Sequence, residues 1–174
     1  MNEELVQTAK KAYEEKEYRQ AADQYQLAAQ DYQRAGDLLL AAEMRNNCSV
    51  CWLQAGDAQR ALEAVVGTED VFAAANDKRR QAMALGNQAA ALDALRQLQE
   101  AIEKYEQAAE LLKEIGDNDL RTYVLQNLSG LQLRTGNQFQ SLATMHTALE
   151  NKKKLSLKER FLKKLLRLPF KIMR

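Results

Sequence analysis

A unit of 40 residues returns along this chain without insertion, and no other feature limits its fold as strongly. The last copy reads Asn127-Leu128-Ser129-Gly130-Leu131-Gln132-Leu133-Arg134-Thr135-Gly136; stepping back by 40 meets Asn87 and Asn47 in the first column, Arg96 and Gly56 in the last. Fourteen places after each Asn stands a small residue, Ala61, Ala101 or Ser141, and the same column at the amino end holds Ala21. Neighbouring columns hold Ala22, Leu62, Ile102 and Leu142, then Tyr25, Val65, Tyr105 and Met145. Another column holds Gly36, Asn76 and Gly116, followed by Asp37, Asp77 and Asp117. A fixed period in this range marks a stack of supersecondary units, none of which can bury its apolar face alone.

The repeated unit is helical. One Pro and seven Gly in 174 residues, with abundant Ala, Leu, Gln and Glu and no alternating Val/Ile/Thr-rich run, favour helices over sheet. Between residues 18 and 35 the residues Ala21, Ala22, Tyr25, Ala28, Ala29 and Tyr32 recur at spacings of three and four, one apolar stripe. Gly36 then suits a left-handed helix end, and Asp37 suits the cap of the next helix. The same reading predicts eight helices over about 3–15, 18–35, 38–55, 58–75, 78–95, 97–115, 119–135 and 138–153, with Asn2 capping the first. Gly67, inside the fourth, marks a kink or a close contact, since Gly costs about 1 kcal/mol in a helix interior. The expected fold class is all-α: four antiparallel helix pairs in one array over residues 1–154, with repeats at about 1–36, 37–76, 77–116 and 117–154, then a separate helix over 155–174. Close helix packing at each tight turn assigns Ala21, Ala61, Ala101 and Ser141 to the approach of two backbones, faced by Ser49, Ala89 and Ser129.

The pattern Asn-Leu-small-x-Leu through Gly, with a small residue fourteen after the Asn, resembles the tetratricopeptide repeat (TPR) in its longer, 40–42-residue kinesin-light-chain-like form. Residues 127–141 match best; the copy at Asn87 carries Arg96 in the Gly column, and the first copy is shortened, with Gln7 and Lys16 in the Asn and Gly columns. The resemblance covers residues 1 to about 153. It implies a right-handed superhelical solenoid whose first helices line a concave groove that holds a peptide or a partner's helix. Carried over by position, that groove presents Asn47, Asn87 and Asn127, then Glu43, Met83 and Tyr123, with Asn46 and Gln126 beside them. An amide suits a ligand backbone because it both donates and accepts; the same amides also suit bonding to a neighbouring helix, and both roles stay open for the Asn column. The carboxylate clamp of chaperone-tail-binding repeats is not expected, because Met83 with Asn87, or Tyr123 with Asn127, stand where its last Lys and Arg belong.

Charge divides the chain. Residues 150–174 carry ten Lys/Arg and two Asp/Glu, leaving 15 basic and 22 acidic residues in the first 149, so an acidic body precedes a basic tail. In the tail, Ser156 and Glu159 form a capping box, after which Leu157, Phe161, Leu162, Leu165 and Leu168 share a face and Lys158, Lys163, Lys164 and Arg167 lie elsewhere. Pro169 is expected to stop this helix. Three roles stay open for it: cap of the last repeat, contact with an anionic membrane surface or acidic partner, and, least favoured because the body is acidic, nucleic acid. Self-association through an incompletely covered end of the array also stays open.

Nothing in the chain points to catalysis, and no cofactor or metal is expected. Cys48 and Cys51 form a C-x-x-C inside a predicted helix, without the neighbouring strand of a redox motif or a second ligand pair for zinc. The acidic start Met1-Asn2-Glu3-Glu4, the absence of a run near the ~18 apolar residues of a membrane span, and two cysteines lead to an expected cytoplasmic location, with a membrane-peripheral one as the alternative. The expected function is a non-catalytic protein–protein interaction scaffold or adaptor; the alternative is a peripheral membrane adaptor anchored by the tail.

Overall fold

Once every 20 residues the backbone enters the left-handed region, at Lys16, Gly36, Gly56, Asn76, Arg96, Gly116 and Gly136, and each of these residues ends a helix. The turn is made the same way each time. At the second, the Gly36 amide donates to the Gln33 carbonyl (3.1 Å) and the Asp37 amide to the Tyr32 carbonyl (2.9 Å), which satisfies carbonyls the helix end leaves free. Asp37 then accepts from the Leu40 amide (3.0 Å) with its side chain, and Asp57, Asp77 and Asp117 do the same for Arg60, Arg80 and Leu120. One residue thus closes one helix and opens the next.

The computed structural model describes the backbone of residues 2–152 and 155–172, and the side chains of 3–150, 152 and 155–166. Among these the chain is all-helical: α1 (Asn2–Glu14), α2 (Tyr18–Arg34), α3 (Leu38–Gln54), α4 (Ala58–Val65), α5 (Thr68–Ala74), α6 (Lys78–Ala94), α7 (Leu98–Glu114), α8 (Asn118–Arg134), α9 (Gln138–Asn151) and α10 (Leu157–Ile172). Each helix from α1 to α4 and from α5 to α10 packs against its neighbours in sequence, apart from the α4/α5 junction described below. The core is spread along the stack. One cluster joins α1, α2 and α3 through Ala21, Tyr25, Met44 and Trp52; a second joins α6, α7 and α8 through Leu85, Leu92, Ile102, Tyr105, Leu112, Leu125 and Leu128. Between them lies a small cluster of Ala42, Val65, Phe72 and Ala84.

The small-residue columns are where the backbones meet. Ala21, Ala61 and Ala101 are fully buried. In the last pair, the Ser129 hydroxyl donates to the Ser141 carbonyl (2.9 Å) and the Ser141 hydroxyl to the Ser129 carbonyl (2.8 Å), so each serine satisfies the other's backbone.

Three expectations are corrected. The fourth helix is two helices, α4 and α5, because Val66 is extended (ψ 131°) and Gly67 is left-handed (φ 83°). The tail helix runs past Pro169 to Ile172; the proline ring's fixed φ is itself helical, and its missing N–H forgoes one backbone bond. The first helix includes Asn2, whose side chain, and with it the proposed cap, lies outside the described residues.

Arg96 holds φ 64° where four other turns have Gly, and a side chain in this region strains the backbone by ~1–2 kcal/mol. Arg96→Gly is therefore expected to raise the thermal midpoint, by an amount equivalent to about 1 kcal/mol once the greater freedom of the unfolded Gly is subtracted. Thermal melts followed by circular dichroism check this, and an unchanged or lower midpoint refutes it.

Candidate functional site

The residues expected to line a groove stand on α3, α6 and α8, one set per repeat, but solvent meets them unequally. Tyr123 is 63% exposed and Met83 39%, while Glu43, Asn47, Asn87, Gln126 and Asn127 are half-buried and Asn46 is buried. The Asn87 amide nitrogen donates to the Asn46 side-chain oxygen across the α3/α6 boundary (3.2 Å). The Asn127 amide donates to the Tyr123 carbonyl one turn back (3.0 Å). Glu43 accepts from the Arg80 guanidinium (3.1 Å). Part of the amide and carboxylate capacity of this row therefore joins one repeat to the next, and its most accessible members are an aromatic ring and a thioether.

A second feature of this face was not anticipated. Lys78, Arg79 and Arg80 occupy the first turn of α6, where the helix dipole disfavours cations. Each is matched by an acid from a neighbouring segment or from the preceding turn. Lys78 pairs with Glu114 (2.8 Å), Arg79 with Asp117 (3.0 Å), and Arg80 with both Glu43 and Asp77 (2.6 Å to the latter). The Arg80 backbone amide, followed by its guanidinium, holds the Asp77 carboxyl below its usual range against the opposing effect of burial. Individually such exposed pairs contribute little; their consequence is positional, since Glu43 and Asp117 come from the repeats on either side. The signal was visible as three consecutive cations behind an Asp cap.

The break between α4 and α5 creates a different surface. Position 45 holds Leu in the next two repeats, Leu85 and Leu125, both buried; Arg45 cannot be buried there without acceptors. The broken helix provides them. The Arg45 guanidinium donates to the carbonyls of Ala64 (2.9 Å) and Val66 (2.8 Å), with Glu63 at 3.5 Å, and the Thr68 hydroxyl takes the Val65 carbonyl (2.7 Å). Register survives: Val65, Thr68 and Phe72 are buried in the columns of Tyr105, Ala108 and Leu112. Beside the break, a cleft of about 470 Å³ opens between α2 and α4 over Cys48 and Trp52 of α3, with the Arg60 guanidinium 4.6 Å from the Trp52 ring centre. Its walls carry both charge signs, with Asp23 and Glu63 against Arg45 and Arg60. The sequence signal was the pairing of an Arg in a Leu column with a Gly in mid-helix.

Cys48 and Cys51 are buried free thiols in α3. Burial pushes the Cys48 thiol up to about 11 and, with the nearby Cys48 adding to the effect, the Cys51 thiol up to about 12. Both are thus held as the unreactive, protonated form.

The tail helix carries its predicted cap. The Ser156 amide donates to Glu159 (2.8 Å) and the Glu159 amide to the Ser156 hydroxyl (3.3 Å), while Lys152 donates to the other Glu159 oxygen (2.6 Å). The Lys152 bond, then those from Ser156, draw the Glu159 carboxyl down to about 2. Lys163 donates to the Leu149 carbonyl (3.2 Å), so it serves α9, whereas Lys158 and Lys164 are exposed. Arg167 and Leu168 lie outside the described side chains.

No family model and no curated protein matches the chain. No helix among the described residues is long and apolar enough to cross a membrane.

Two measurements test this arrangement. Arg45→Leu restores the residue of the other repeats but strands the carbonyls of the break, an expected loss of about 1–3 kcal/mol; adding Gly67→Gln removes the break, so denaturant melts of both single variants and the double variant should show favourable coupling rather than additivity. The thiols should resist a disulfide reagent at pH 8 while the chain is folded and react at once in guanidinium. Because a raised thiol value leaves almost no thiolate below pH 9, labelling of the folded chain should rise only toward pH 11.

Proposed function

We propose that this chain is a non-catalytic interaction module: a TPR-like superhelical array that holds a peptide or helix of a protein partner along the row formed by α3, α6 and α8. The observation that carries the reading is the exposure of Tyr123 with Met83 in the same position one repeat earlier. A large ring on the mid-surface of a helix in the body of the stack, beside half-buried amides that donate and accept, suits a partner with apolar anchors and a main chain to be bonded. The unbroken 20-residue spacing of the turns supports the solenoid, since equal helices joined by equal turns stack with a constant rotation. The buried, protonated thiols support a structural rather than a catalytic role for the one motif of chemical interest. A cytoplasmic adaptor is the setting this reading implies.

Asn87 is a poor position at which to test the row, because its loss leaves the buried Asn46 without that bond. Tyr123→Ala with Met83→Ala truncates two exposed side chains, the second contacted by the Arg79 guanidinium at its sulfur (3.8 Å), and should leave the melting midpoint within about 1 kcal/mol of wild type. Wild type and this double variant are used as baits in lysate of the source organism, with captured proteins identified by mass spectrometry. A partner held by wild type and lost by the variant supports the row as the working surface; partners held equally by both count against it.

A further inference from the structure

The outermost helix of a repeat stack ordinarily turns its apolar face inward and its polar face to water. In α10 the arrangement is different. Leu166 is buried, Leu162 is half-buried, and Lys163 and Glu159 bond back toward α9. On the other side, Leu157 is 83% exposed, Phe161 71% and Leu165 50%. At 3.6 residues per turn these three lie within an arc of about 80° and form a line about 12 Å long. On the same wheel Lys164 and Arg160 border the line on one side and Lys158 on the other, and all three are exposed. The helix therefore has two apolar edges, one on the protein and one facing water between cations.

Coverage of the last repeat is also incomplete. Leu142 is 38% exposed, although Ile102, its equivalent one repeat earlier, is 7% exposed beneath α8. A helix placed only to seal the stack would turn its second apolar edge onto that surface.

We propose that α10 lies on an anionic lipid surface, with Leu157, Phe161 and Leu165 entering the boundary between headgroups and chains while Lys158, Arg160 and Lys164 meet the headgroups. An interfacial helix needs this pattern, an apolar strip flanked by cations whose long stems reach outward from it. Three features favour lipid over a second copy of the chain. A two-fold pairing through this face brings the Lys158, Arg160 and Lys164 sets of both copies together, which repels. A single narrow line of side chains offers little of the area a stable protein interface needs, whereas a bilayer asks for no complementary shape. The body, with 22 acidic and 15 basic residues before position 150, is repelled by an anionic surface, which leaves the tail end as the one to approach it. None of this depends on the row on α3, α6 and α8, so the two readings fail separately.

The test is flotation of the full chain with vesicles of phosphatidylcholine alone or with a quarter phosphatidylserine, alongside sedimentation equilibrium without lipid. Wild type should float with the anionic vesicles only and be released as salt is raised to about 0.5 M, where charges are screened beyond a few ångströms. Phe161→Ser with Leu165→Ser, and separately Lys158→Glu with Arg160→Glu and Lys164→Glu, should each lower vesicle binding at least tenfold with circular dichroism and melting unchanged. Leu142→Ser, outside the helix, should retain it. Failure of wild type to float with anionic vesicles, or equal binding to neutral ones, overturns the proposal. So does a dimer that Phe161→Ser dissociates in the absence of vesicle binding, which assigns the face to a second copy.

Discussion

Everything in this molecule depends on a three-residue turn with one residue in the left-handed region. Two turn amides bond back to the last carbonyls of the finished helix, and the following Asp, where present, takes a free amide of the next. The free ends of both helices are thus satisfied within one short segment, which lets the chain reverse without burying orphaned polar groups. Because the turn has one length and returns every 20 residues, α2, α3, α6, α7 and α8 are all 17 residues long and present the same columns to their neighbours. The packing between helices follows from that equality. Fully buried alanines recur at 21, 61 and 101 because every pair brings its backbones together at the same height.

Departures from the repeat come in compensating pairs. Arg45 replaces a buried Leu, and Gly67 breaks the helix opposite so that carbonyls become available to the guanidinium. Three cations crowd the first turn of α6, and acids at 43, 77, 114 and 117 converge on them. Ser129 and Ser141 replace two small apolar residues and bond to each other's backbone. In each case a polar group placed at a packed boundary is tolerated because the neighbouring segment supplies the partner it would otherwise have found in water. These substitutions also make the repeats distinct, so that adjacent units fit in one order.

The surfaces left for binding are those the stacking does not use. Along α3, α6 and α8, amides such as Asn87 and Asn46 are partly occupied in joining repeats, and the accessible contacts are Tyr123 and Met83. At the carboxyl end, α10 is held by its cap, by Lys152 and by Lys163, with Leu157, Phe161 and Leu165 turned to water. The two surfaces differ in kind: one is a row of side chains on fixed helices, suited to a shaped partner, and the other a charged apolar edge suited to a surface without shape.

Much of the architecture could be read from the residues alone, because turn chemistry is local. A Gly or Asn followed by Asp announces a left-handed helix end and a cap wherever it stands, and the spacing of such pairs gave the helices, their pairing and the small-residue columns. The capping box at Ser156 and Glu159 was readable for the same reason. What local rules could not decide was how each unit meets the next. Gly67 could be read as a kink or as a contact, and only the arrival of Arg45 from another helix explains a full break. The Asn column could be assigned a ligand or a neighbour, and only the position of Asn46 shows where the Asn87 amide donates. An amphipathic tail could turn its apolar face either way, and the burial of Leu166 with the bond of Lys163 to the Leu149 carbonyl directs the other edge outward. Each of these outcomes depends on groups some 10–40 residues apart in the chain, whose free energy of pairing exists only once the stack has brought them together.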